Sequence, residues 1–187
     1  PTRQATLFPY TTLFRSGAHN PGQRELPFCI HTRYSTQQAI LEDIVASLYA
    51  QGMRKLIILS GNGGNNFKGM IRDLAFVYPD FLIIAADWFS IVPPKDYFEA
   101  VVDDHAGESE TYVMMHYHPE LVNLAEAGDG ESQPFAITSL NEKVGWAPRH
   151  WDKATVDSGV GNPKKASAEK GKRYMKPVVE KLAKLFT

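Results

Sequence analysis

The apolar positions of this chain fall into two alternating patterns. Ile40, Leu41, Ile44, Val45 and Leu48 recur at intervals of three, four and seven, which lines them along one stripe of an α-helix. Ser35 with Gln38 three residues on has the form of a capping box at its start, and Gly52 is expected to stop the helix after Ala50. Lys55 to Ser60 then reads as a continuous apolar strand, the pattern of a strand buried on both faces. A Gly/Asn-rich turn precedes a helix expected over about 66–77, Pro79 ends it, and Phe81 to Asp87 reads as a second buried strand. The order helix, strand, helix, strand predicts a parallel sheet with right-handed crossovers.

The pattern is less regular on either side. Residues 17–34 predict a loop and one strand over Leu26 to Ile30. Pro93 to Asp104 reads as a loop with a helical turn, and a helix is expected from Gly107 to Tyr117, with Met114 and Met115 in its core face. His116 and His118, at its end and before Pro119, read as surface histidines. Residues 127–165 are rich in Gly, Pro, Asp and Ser and predict a long excursion with short strands, the kind of loop that covers a site. Its Trp146 and Trp151 are expected to pack against protein. A last helix is expected over about 166–185, and no internal repeat is visible.

Composition narrows the function classes. With 187 residues, of which 43% are hydrophobic and 22% charged, the chain can bury one domain-sized core. A net charge of -1 argues against nucleic acid as a partner, because phosphate contacts need a basic surplus. The eight Lys/Arg between Lys164 and Lys184 alternate with apolar residues and read as a solvated helix face. Cys29 is the only cysteine, so an intrachain disulfide and a thiolate metal cluster are both excluded. No apolar run approaches the ~20 residues of a membrane span, so a cytoplasmic setting without a membrane partner is expected. Residues 1–16 carry no acidic residue and no periodicity, and Pro9 to Ser16 resembles translated sequencing-adapter read-through. They are expected to be a non-native leader, with a genuine edge strand as the alternative. That leaves 17–187 as one domain.

Two segments could carry chemistry. Ser60-Gly61-Asn62-Gly63-Gly64-Asn65 follows a buried strand and precedes a helix, the place where open parallel sheets bind ligands. It is also what a tight strand-to-helix turn needs. A dinucleotide-binding loop is a rival, with Asp87 lying 26 residues after Gly61 where a ribose-binding acid would sit. Asn66 occupies the third glycine position and counts against it. The second segment is Asp103-Asp104-His105-Ala106-Gly107-Glu108-Ser109-Glu110-Thr111. His105 beside the Asp104 carboxylate suits acid/base catalysis, and Glu108 and Glu110 offer oxygen ligands to a divalent metal. Acids in the first turn of a helix are equally ordinary capping chemistry.

Taken with Gly159-Val160-Gly161-Asn162-Pro163 through Ala166 and Gly171, these segments resemble the creatininase family of amidohydrolases. That family carries Asn-Gly-His-Gly-Gly-Asn, then Asp-x-His-Ala-Gly-Glu-x-Glu-Thr, then a Gly-x-x-Gly-(Asp/Asn)-Pro stretch, in this order and spacing. Leu26 to Ile30 sits where the family has a Phe-Pro-Gly-Thr-Ile-like strand. The resemblance implies a three-layer α/β/α fold with a mainly parallel sheet, often assembled as hexamers. It also implies hydrolysis of a cyclic or linear amide by a hydroxide bound to zinc, manganese or iron, with His105 passing a proton to the leaving nitrogen.

The departures fall on the metal site. The family's early Glu-x-His and Asp ligands have no counterpart before Gly17, where only the expected leader stands, and the strand and helix that would carry them are expected to be absent. Asn62 stands where the loop histidine belongs, and an amide oxygen is a poorer transition-metal ligand than imidazole. The remaining metal candidates are Glu108, favoured over Glu110, and Asn62, with His105 and Asp104 as catalytic candidates. Gly61, Gly63, Gly64, Asn65 and His19 are the expected substrate-binding positions. The expectation is an amidohydrolase that binds metal poorly and turns over little amide. The alternatives are a nucleotide-binding domain and a non-catalytic oligomerising remnant.

Overall fold

The computed structural model of the chain describes residues 17–18, 20–24, 30–100 and 102–186. The expected leader, His19 and all of the expected Leu26 to Ile30 strand but its last residue lie outside the described residues.

Short strands β1 (Gly17–Ala18) and β2 (His31–Thr32) pair in parallel ahead of helix α1 (Tyr34–Ala50). Strand β3 (Lys55–Ser60), helix α2 (Lys68–Val77) and strand β4 (Leu82–Asp87) follow. Strand β5 (Asp103–His105) leads into helix α3 (Glu108–Tyr117). The excursion after it holds two one-turn helices, α4 (Thr138–Asn141) and α5 (Trp151–Ala154), and strand β6 (Val160–Gly161), before the long helix α6 (Ala168–Ala183). The fold is α/β with parallel strands. β3 and β4 run parallel in the register Lys55↔Leu82 to Ser60↔Asp87, while β5 and β6 pair antiparallel.

Two cores hold these elements. Leu41 and Val45 of α1 and Met70 and Leu74 of α2 pack with Phe81 and Ile83, and Leu56 and Ile58 of β3 close the cluster from the sheet side. β3 is therefore covered on this one face. Leu59, pointing the other way, is 57% exposed, which corrects the expectation of a strand buried on both faces. Among the described residues β3 pairs with β4 alone. The second core joins Val92 to Tyr174 and Val178 of α6, with Tyr97, Phe98 and Val113 against them. The Tyr174 hydroxyl donates to the carbonyls of Phe89 and Val92 at 3.2 and 3.3 Å, tying the loop after β4 to α6.

Two local expectations change. α1 begins with Arg33 as its N-cap and no side-chain cap, so Ser35 falls inside the first turn and forms no capping box. Buried Gln37 instead donates to Thr32 Oγ1 at 3.0 Å. On α3 the buried positions are Glu108 and Tyr112, four residues apart. Met114 lies off that stripe and is exposed, and Trp146 is 86% exposed.

Candidate functional site

The site is organised by the turn from β5 into α3. Ala106 has a φ of +50° and Gly107 is the N-cap, which reverses the chain directly after His105. Glu110, one turn into the helix, reaches back to accept the Ala106 N–H at 2.7 Å. The same oxygen, Oε2, stands 3.9 Å from His105 Nδ1. Asp103 accepts the Ser109 N–H at 3.1 Å and so satisfies one free donor at the start of the helix.

Asp104 is not the partner of His105. Successive side chains on a strand point to opposite faces, and Asp104 turns outward to receive the Arg149 guanidinium at 2.8 Å. The carboxylate beside the imidazole is that of Glu110. Arg149 was not singled out in the sequence, and no spacing there pointed to it. It lies 45 residues from Asp104 and also sits over the Trp151 ring, 5.0 Å from its centroid. Trp151 meets His105 edge to face, with ring centroids 5.3 Å apart at 73°.

Glu108 is 1% exposed. Its Oε2 accepts the backbone N–H groups of Glu99 at 3.0 Å and Ala100 at 2.7 Å. Its Oε1 accepts the Tyr112 hydroxyl and faces Lys170 Nζ at 3.5 Å. Burial alone would raise this carboxyl group. The hydrogen bonds from Tyr112, Ala100 and Glu99, with the charge of Lys170, outweigh burial and hold it below the usual glutamate range. The Tyr112 phenol is pushed up to about 12, first by burial and then by Glu108. Lys170 is raised by its contacts with Tyr112 and Glu99. Glu108 and Glu110, two residues apart, point away from each other around the helix.

The glycine loop after β3 is exposed along 61–64. Asn62 Oδ1 accepts the Gly64 N–H at 2.7 Å, and the Asn62 carbonyl accepts Asn65 N–H and Ser60 Oγ, both at 3.2 Å. α2 starts only at Lys68, so Asn66, which accepts the Lys68 N–H at 3.1 Å, prepares the helix rather than the glycines. Residues 20–22 lie between this loop and helix α5. The Asn20 carboxamide lies against Gly64, Gly22 lies against Asp152, and the Pro21 carbonyl accepts the Trp151 N–H at 3.1 Å. An open hollow of about 320 Å³ beside Glu110 is lined by Ala106, Met114, Leu121 and Leu124.

The donors among the described residues do not make up a complete metal centre. Asn62 Oδ1 and both Glu108 oxygens are committed to protein N–H and O–H donors. Among the described residues no group of three or more His, Cys, Asp or Glu could hold a metal ion.

The family model for creatininase, creatinine amidohydrolase, matches residues 5–186. A solved, provisionally named creatinine amidohydrolase from Bacteroides fragilis NCTC 9343 is 85% identical over 91% of this chain and 67% of its own, with a TM-score of 0.88. A creatininase variant of the Zn-Zn type is 20% identical over 91% of this chain and 70% of its own, with a TM-score of 0.68. A creatininase with manganese is 19% identical over the same shares, with a TM-score of 0.65. At such identities these two show the shared fold alone. The chain thus spans about two thirds of the length of the structures it resembles. Nothing matches it among the curated proteins.

Proposed function

Because this chain belongs to the creatininase family of metal-dependent amidohydrolases, we propose that it retains the proton-transfer half of an amide-hydrolysing site while holding divalent metal only weakly. The observation that carries this is the pairing of His105 Nδ1 with the Glu110 carboxylate at 3.9 Å. A carboxylate on that side of the ring favours the neutral tautomer that carries its proton on Nδ1. Nε2 is then the atom that takes a proton from the attacking water as its oxygen bonds to the carbonyl carbon of a small cyclic or linear amide, and returns that proton to the leaving nitrogen as the C–N bond breaks. Gly61, Gly63, Gly64 and Asn65 of the exposed loop after β3, together with His19, are proposed to meet the substrate. Glu108 is assigned to holding the 99–100 backbone against α3 and α6.

Weak metal binding follows from the commitments of Asn62 and Glu108. A metal at either would have to displace hydrogen bonds already made, and a carboxamide oxygen is a modest recompense for transition metals. Isothermal titration of the full chain with zinc and with manganese tests this. No sub-micromolar binding is expected, and none that depends on Glu108. A sub-micromolar zinc site that disappears in Glu108→Ala would overturn the assignment.

A further inference from the structure

His105 stands at the mouth of a turn, on a half-buried strand end, and a group that passes protons must present one nitrogen in one direction. Glu110 lies beyond ordinary hydrogen-bond length from the ring, at 3.9 Å, so it biases the imidazole electrostatically without fixing its rotation. Trp151 supplies what is missing. Its ring meets the imidazole at 5.3 Å and 73°, an edge-to-face geometry that restricts rotation of the smaller ring. Trp151 is itself held at two points. Its backbone N–H donates to the Pro21 carbonyl at 3.1 Å. Its ring face carries the Arg149 guanidinium at 5.0 Å, and that guanidinium is anchored at 2.8 Å by Asp104, the strand neighbour of His105.

The brace continues to the glycine loop. Gly22, at a φ of +76°, lies so close to Asp152 that a Cβ there would collide with the backbone N and side chain of Asp152. Asn20 in turn lies against Gly64. The residues around 20–22 therefore touch the start of α5 on one side and the glycine loop on the other, and the two segments that carry the chemistry are mechanically joined through them.

We propose that Trp151 is a positioning residue for His105, clamped by Arg149–Asp104 on its face and by the 20–22 segment behind it. This rests on His105 being the proton-transfer group, and the test separates the two. The His105 ring Cε1–H resonance of the full chain, assigned by its loss in His105→Gln, is recorded for the unaltered protein, Trp151→Ala, Trp151→Phe and Gly22→Ala. The ring current of Trp151 should displace the resonance from that of a freely rotating histidine. Trp151→Ala should return it, Trp151→Phe should retain much of the displacement, and Gly22→Ala should return it in part without touching either ring. An unchanged resonance in a folded Trp151→Ala overturns the proposal. If that variant does not fold, an unchanged resonance in Gly22→Ala does so instead. With zinc or manganese and an amide substrate, Trp151→Ala should lower kcat roughly tenfold while KM stays within about twofold, with recovery in Trp151→Phe. A displaced resonance together with no turnover under any metal leaves Trp151 as the support of the ring and defeats the hydrolytic function instead.

Discussion

Glu110 accepts the backbone N–H of Ala106 at 2.7 Å, and Ala106 is the residue held at a φ of +50°. A residue bearing a Cβ in the left-handed region carries a cost of roughly 1–2 kcal/mol. A hydrogen bond to a charged acceptor contributes about as much in the other direction. The turn that presents His105 is thus maintained by a side chain four residues further on.

Glu110→Ala should therefore destabilise the chain by about 1–2 kcal/mol in denaturant unfolding. Glu110→Gln, which keeps an acceptor oxygen, should lose less than half of that. Introducing Ala106→Gly into Glu110→Ala should restore part of the loss, because glycine takes a positive φ without strain. Strict additivity of the two substitutions would show that the bond and the strained backbone are independent.

The Glu108 cluster sets an acid limit. Its folded carboxyl group lies below the ordinary glutamate range. A depressed folded value means stability that is present above the unfolded value and lost as pH falls through the folded one. The melting temperature should fall as pH is lowered from neutrality through and below the usual glutamate range, and Glu108→Gln should flatten that limb. Glu99, lowered by Lys165 and Lys170 at the surface, adds a smaller slope of the same sign. Removing the buried carboxylate altogether in Glu108→Ala leaves Tyr112 and two backbone N–H groups without their acceptor. It should cost about 3 kcal/mol, or roughly 6–12 °C in melting temperature for a domain of this size. A loss below about 1 kcal/mol would remove Glu108 from its structural role.

Helices α3 and α6 meet at Gly171, where a Cβ would run into the Tyr112 carbonyl and stand 3.0 Å from the His116 Cβ. Replacing a mid-helix glycine by alanine ordinarily gains about 1 kcal/mol in helix propensity. Here the obstacle is backbone on a packed helix and cannot swing aside, so overpacking wins. Gly171→Ala should lower stability by about 2 kcal/mol, read as a drop in the denaturant midpoint. A gain in stability would mean that α3 and α6 are free to separate.

Phe76 is 91% exposed, and Val77 and Leu82 nearby are more than half exposed. Apolar surface of this kind, at the end of α2 and the start of β4, favours association. Light scattering on the purified chain should report species larger than a monomer, and Phe76→Lys should shift the distribution toward monomer. A monodisperse monomer for the unaltered chain would count against it.

Much of the fold is legible from local pattern. The stripe from Ile40 to Leu48 and the apolar run from Lys55 to Ser60 appear as α1 and β3, and the helix expected from Gly107 appears as α3 from Glu108. The family too was readable, because three short motifs in a fixed order are a property of the chain alone. The capping box at Ser35 misled because a cap is decided by which residue first leaves helical geometry, and that residue is Arg33, which leaves Ser35 inside the first turn.

The partners within the site were another matter. Asp104 and His105 are adjacent in sequence and diverge in space, because a strand alternates its side chains, whereas Glu110 comes back to His105 through a reversed turn. Arg149 and Trp151 reach this turn across more than 40 residues, and Lys170 reaches Glu108 from another helix. The sequence by itself determined helices α1, α2, α3 and α6, the parallel pair of strands and the family, since each depends on short-range periodicity or motif order. The tertiary structure alone decided which carboxylate faces the imidazole and which glutamate is consumed in the core, because those outcomes depend on how distant segments close on one another.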